Sequence, residues 1–284
     1  MRKENIGEYK MTRNKDLLQP RIGLGTWKMG SSKSEQAAEV AALQAGIEMG
    51  VTVIDTAEMY ADGGAEEVTG EAIKGIRDNI FLVTKVLPSN ASLTGTITAC
   101  ERSLRRLGTD RIDLYLLHWK GSHPLKETVE AFETLRERGL IKQWGVSNFD
   151  PQDIQKLYGL ESGRNCAVNQ VYYSLGSRGV EYDLLPWQEK QDVATMAYCP
   201  LDQGRIVNDG RLQPIADKHN ATIAQIALAW LMGQPGVIPI PKSAKVSRVI
   251  ENVNARDIKL DTADSEQLDR LFPPPTQPIP LIST

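Results

Sequence analysis

Eight short apolar runs, separated by helical patterns of apolar residues, constrain this chain more than any other feature. The runs cover residues 22–25, 51–54, 80–84, 112–117, 141–146, 166–169, 193–197 and 237–240. After the first, Ser32 and Glu35 have the spacing of a capping box, Val40, Leu43 and Ile47 form a stripe, and Gly50 is placed to stop the helix. A helix over 66–77 follows the second run. The third is followed by Ile97, Cys100, Leu104 and Leu107 on one face, ending at Gly108. Val129, Phe132 and Leu135 lead to Gly139, and Asp150-Pro151 supplies an N-cap with proline at the first helical position. Helices are expected over 182–189, 211–219 and 222–232, and again over 246–254 and 262–271. A β-then-α alternation repeated eight times, with no polar linker dividing it, predicts a single-domain α/β chain over 1–284 folded as a (β/α)₈ barrel. The proline-rich tail from about residue 273 is expected to be irregular.

The rival is a doubly wound sheet binding a dinucleotide through glycines. Gly23-Leu-Gly25-Thr-Trp-Lys28 lacks the third glycine of that fingerprint, and Gly30 falls two places late. Composition narrows the function classes. With 24% charged residues and a net charge of −3, nothing in bulk favours nucleic acid or a membrane surface. Cys100, Cys166 and Cys199 are odd in number and scattered, which fits a reducing cytoplasm. The opening residues lead into no apolar core of a signal peptide. A cytoplasmic monomer or weak oligomer is expected.

In such barrels function gathers where strands end. Thr26 and Trp27 follow the first run, Asp55 the second, Lys85 the third and His118 the fourth. Ser147-Asn148, Gln170, Tyr198 and Lys242 follow the others, and Tyr60 lies five residues beyond Asp55. Singly, each has a bland explanation: a strand-end aspartate caps helices, a lysine is solvated, a histidine is structural. Together they form a coherent set. Asp55 paired with Lys85 removes the cost of two isolated buried charges. A cation beside Tyr60 is expected to lower the phenol's pKa and suit it to general acid or base work. His118 could orient a substrate oxygen. No side chain supplies a hydride, so a cofactor is required. His118 and His123 have no third ligand nearby, which argues against zinc.

From about residue 22 to 271 the chain resembles the aldo-keto reductase superfamily. The resemblance is carried by Gly23-Leu-Gly-Thr-Trp27, Ile54-Asp-Thr-Ala-Glu-Met-Tyr60, Leu82-Val-Thr-Lys85, Asp113-Leu-Tyr-Leu-Leu-His118, Gly145-Val-Ser-Asn148, Asn169-Gln170 and Ile238-Pro-Ile-Pro-Lys242-Ser243. It implies a catalytic tetrad of Asp55, Tyr60, Lys85 and His118, with Tyr60 as proton donor. It implies that Ser147, Asn148 and Gln170 hold a nicotinamide carboxamide and that the ring stacks on Tyr198. Gly25, Thr26, Trp27, Asp55, Pro200, Leu201 and Ile240 complete that side of the cofactor site. Lys242, Ser243 and Arg248, then Glu251 and Asn252, resemble the family's site for the adenosine phosphate. Two cations and a hydroxyl suit a 2′-phosphate, so NADPH is the implied cofactor; NADH is also open, since some relatives accept both.

Trp27, Met59 and Trp119, with Tyr60 and His118, are expected to line the substrate pocket for a small-molecule carbonyl compound. The short segment 119–127 and short tail imply an open site. Asp62-Gly63-Gly64-Ala-Glu66 and Leu175-Gly-Ser-Arg-Gly179-Val-Glu-Tyr182 add a closer likeness to small bacterial reductases of methylglyoxal and similar aldehydes. Two rival functions stay open: a Schiff-base aldolase using Lys85, and a non-catalytic NADPH-binding subunit of the same fold.

Overall fold

The computed structural model describes residues 22–283. Eight parallel strands lie side by side in chain order. They are β1 (Leu24–Gly25), β2 (Val53–Asp55), β3 (Phe81–Val86), β4 (Ile112–Leu117), β5 (Ile141–Ser147), β6 (Cys166–Tyr172), β7 (Ala194–Tyr198) and β8 (Val237–Pro239). Helices α1 (Gln36–Glu48), α2 (Gly64–Ala72), α3 (Leu93–Leu107), α4 (Leu125–Glu137) and α5 (Pro151–Tyr158) follow the first five strands in turn. Next come α6 (Leu184–Gln191), α7 (Gln213–Lys218), α8 (Ile223–Met232), α9 (Val246–Asn254) and α10 (Thr262–Leu271). The ring closes between β8 and β1. There the Gly23 amide donates to the Pro239 carbonyl at 2.9 Å, and the Gly25 amide to the Pro241 carbonyl at 3.0 Å. A side chain at Gly25 would sit 2.8 Å from the Ile240 carbonyl oxygen, so the seam demands a residue without one.

Two apolar layers divide the strand residues by parity. Val53, Val83, Leu114, Leu116, Val168, Met196 and Ile238 fill the interior of the ring. Ile54, Leu82, Tyr115, Leu117 and Trp144 face outward into a larger core shared with the helices. The same parity carries each inward row one step higher, to Asp55, Lys85, His118, Gln170 and Tyr198. This is how the fold gathers its polar groups at one end.

Several expected boundaries shift. The Ser32–Glu35 capping box does not form: Ser32 pairs with Ser34, and α1 begins at Gln36 without a side-chain cap. Glu39 instead turns back and accepts the Gly30 amide at 2.8 Å. α2 starts at Gly64 and ends at Ala72, short of the expected residue 77. The caps at Ser92, Asp150 and Thr222 are made as their residue types favour. Residues 273–283 carry no regular structure. No helix among the described residues is long and apolar enough to cross a membrane.

Candidate active site

At the C-terminal end of the strands, Lys85 on β3 is sealed from solvent. Its ammonium donates to Asp55 Oδ2 at 2.7 Å, to the Thr56 carbonyl at 2.9 Å and to Tyr60 Oη at 3.2 Å. All three donors are therefore used. Burial pulls the Lys85 pKa down, but Asp55 and Tyr60 outweigh it and hold the ammonium charged. The other Asp55 oxygen accepts Gln170 Nε2 at 2.7 Å, so this carboxylate joins β2, β3 and β6.

Tyr60 opens a single 3₁₀ turn (Tyr60–Gly63) above β2. The expectation that Lys85 lowers its pKa is not met. Burial raises it most, Lys85 opposes this, Asp55 adds to it, and the net direction is upward. Sequence showed the cation but not the desolvation that outweighs it. Tyr60 is accordingly a phenol, ready to give a proton.

His118 lies edge-on to Tyr60, with ring centroids 5.6 Å apart, and packs against Trp119 at 4.9 Å. Burial, then the charge of Lys85, pushes its pKa down to about 2, so the ring is neutral. Its Nδ1 is buried with no hydrogen-bond partner among the described residues. A buried acceptor left bare costs less than an orphaned N–H, which favours the proton on Nε2. Asn148, in the left-handed region at φ 60°, accepts the Tyr198 hydroxyl at 2.7 Å and donates to the His118 carbonyl and Ser147 Oγ.

These groups open into a cleft of about 820 Å³. Asp55, Tyr60, His118, Ser147, Asn148, Gln170 and Tyr198 line it, as do Gly25, Thr26, Trp27, Met59 and Trp119. So do Pro200, Leu201, Ile240, Lys242, Ser243, Arg248, Glu251 and Asn252. Only Lys85 of the expected residues lies behind the wall. Trp27, Met59 and Trp119 are 41%, 37% and 38% exposed, leaving an apolar rim open to solvent.

Residues 21–272 match the sequence profile of the Aldo/keto reductase family. The chain belongs to that family. It is 51% identical to "Methylglyoxal reductase YeaE" of Escherichia coli K12 over 92% of this chain and 93% of that one. Identity with "Glyoxal reductase" of Bacillus subtilis is 36%, over 89% and 88% respectively. Among solved structures, an aldo/keto reductase from Klebsiella pneumoniae in complex with NADP and acetate superposes with a TM-score of 0.91 at 52% identity, covering 93% of this chain and 95% of that one.

The donor set of this reductase suits a phosphorylated dinucleotide. Lys242, Ser243 and Arg248 share the cleft with Gln170 and Tyr198, and Lys242 forms a bridge with Gly25 across the seam. Sequence reading missed part of the wall. Lys28, whose ammonium sits 4.4 Å above the Trp27 ring, adds a cation. Gln203, Gly204 and Val207, in short 3₁₀ turns after β7, and Thr222 to Ala224 at the start of α8 also line the cleft. Lys28 was visible in the quoted motif, whereas the 3₁₀ turns carry no periodic signal.

Proposed function

We infer that this reductase converts small reactive aldehydes and ketones, 2-oxoaldehydes such as methylglyoxal among them, to alcohols with NADPH, through Asp55, Tyr60, Lys85 and His118. The observation that carries this reading is a protonated Tyr60 held 3.2 Å from a charged, buried Lys85 at the edge of the cleft. The names of the E. coli and B. subtilis relatives support the substrate class. The cofactor of the Klebsiella structure supports NADP.

NADPH, when bound, supplies the hydride. Lys242, Ser243 and Arg248 would hold its 2′-phosphate, Ser147, Asn148 and Gln170 its carboxamide, and Tyr198 would offer a ring face. His118, neutral and protonated on Nε2, donates a hydrogen bond to the carbonyl oxygen and orients it. Tyr60 gives its proton to that oxygen as negative charge develops there. Lys85 stabilises the phenolate left behind, and Asp55 keeps Lys85 charged. Trp27, Met59 and Trp119 form the apolar rim around the substrate.

The aldolase reading loses ground because a Schiff-base lysine must be a free amine, whereas Lys85 is charged with its three donors taken. Three cysteines, odd in number and scattered along the chain, suit a cytoplasmic location. The test follows NADPH absorbance with a panel of aldehydes. Turnover is expected in the wild type, with kcat lower by about 10²- to 10⁴-fold in Tyr60→Phe. Equal rates in the two proteins would remove Tyr60 as the acid.

A further inference from the structure

Tyr60 is followed by three consecutive left-handed residues: Ala61 and Asp62, both at φ 51°, and Gly63 at φ 95°. The first two have side chains, for which this conformation is unfavourable, and such runs persist only where the surroundings impose them. The surroundings here are specific. A Cβ on Gly63 would stand 2.4 Å from Cδ and Nε of Arg106, so the arginine from α3 lies directly against the turn. Arg106 Nε donates to Glu66 Oε2 at 2.6 Å. The fully buried Glu66 on α2 accepts the Thr84 hydroxyl at 2.6 Å through its other oxygen. Thr84 is the neighbour of Lys85 on β3, facing the opposite side of the sheet. On the other flank a Cβ on Gly64 would meet the Gly30 carbonyl oxygen at 2.6 Å, and Gly30 is itself held by the buried Glu39.

We propose that Arg106, tied through Glu66 to Thr84, is a positioning residue that clamps the left-handed turn at 61–63 and so sets Tyr60 against Lys85. The inference rests on Tyr60 being the proton donor. Arg106 touches neither cofactor nor substrate. It acts because one carboxylate, Glu66, connects the segment that carries the phenol to the strand that carries the ammonium. A shift of the turn changes the Tyr60–Lys85 separation without altering the cofactor wall.

The test compares Arg106→Ala, Arg106→Lys and Gly63→Ala with the wild type. Gly63→Ala forces a Cβ to 2.4 Å from the Arg106 side chain and so displaces the turn from its clamp while Arg106, Glu66 and Thr84 stay unchanged, so it decides the matter if Arg106→Ala does not fold. We expect kcat to fall about 10-fold or more in Arg106→Ala and Gly63→Ala, as misplacement of a reacting group implies. Arg106→Lys should recover part of the loss. NADPH affinity, read by quenching of protein fluorescence, should stay within about 2-fold, since no cofactor-facing group moves. Loss of contact with Lys85 raises the Tyr60 pKa, so the basic limb of the kcat profile should move to higher pH. Crystal structures of the variants should show a longer Tyr60–Lys85 distance, a readout independent of turnover. Unchanged kcat and distance in Gly63→Ala, or a loss of melting temperature alone in Arg106→Ala, overturns the clamp. Absence of any wild-type turnover would overturn the proposed activity instead.

Discussion

A lysine sealed from water is tolerable at position 85 because each of its three N–H groups meets an oxygen. Replacing it by methionine leaves the buried Asp55 carboxylate with Gln170 Nε2, at 2.7 Å, as its remaining side-chain partner among the described residues. Lys85→Met is therefore expected to destabilise the fold by about 3–5 kcal/mol, read from urea unfolding, and adding Asp55→Asn should recover part of this. The pH profile follows from the same residues. In the proposed role of proton donor Tyr60 must be protonated, and its pKa lies above the ordinary value of 10.0. Burial and the charge of Lys85 push the His118 pKa down to about 2, so the ring is neutral across the working range. Neither group should bend the kcat profile between about pH 5 and 9. An inflexion near the ordinary histidine value of 6.5 would show that His118 titrates after all. At this scale the sequence revealed partners but not environments. The strand-end position of Asp55 led to Lys85, yet the direction of the Tyr60 shift depends on desolvation, which no spacing encodes.

Elements place these residues through parity and through their ends. α8 starts with a full capping box, in which Thr222 Oγ1 accepts the Gln225 amide and Gln225 Oε1 accepts the Thr222 amide. The Thr222 hydroxyl also donates to Glu251 at 2.7 Å, linking α8 to α9 beside the cleft. Thr222→Ala should cost about 1 kcal/mol of stability, seen as a lower melting temperature. Arg248 lies in the first turn of α9 and lines the cleft. Arg248→Ala should weaken NADPH by about 10- to 100-fold, the range for a hydrogen bond to a charged group, and NADH far less. Titrating both cofactors into the variant checks this, and equal weakening would remove the phosphate assignment. The spacing of Ser32 and Glu35 misled because a capping pattern is local, whereas Glu39 is recruited by the Gly30 turn. Proline at Pro151 and glycine at Gly108 were sound guides, since proline fixes φ at a helix start and glycine enters the left-handed stop, here at φ 62°, without penalty.

Over the whole molecule, the strand–helix alternation sufficed for the architecture, because a run of buried parallel strands has few ways to cover both faces. The cleft was less legible. Its wall borrows Gln203, Val207 and Ala224 from turns and a helix start that become neighbours only when the ring is complete. The C-terminal helix is pinned to α7 at Asp264. Burial pushes that carboxyl up, but Lys218, the Asp261 backbone and His219 together bring it down to about 2. A carboxyl held below its unfolded value near 3.8 stabilises the fold above that pH, and the gain fades as pH falls toward about 2. Asp264→Asn should thus lose about 1–2 kcal/mol at neutral pH and little at pH 2. Urea midpoints across that range would show the two proteins converging.

The seam between β8 and β1 has a further consequence for assembly. Gly25 and Lys242 are distant in sequence, and parallel pairing over such a separation is slow to form. Thr26 and Trp27 lie on one side of the join, Lys242 and Ser243 on the other, and all four belong to the cleft. The pairing that spans the longest stretch of chain is thus the one that completes the pocket. A growing chain that has not yet reached β8 still lacks Lys242, Ser243 and Arg248, so that wall of the cleft waits on topological closure.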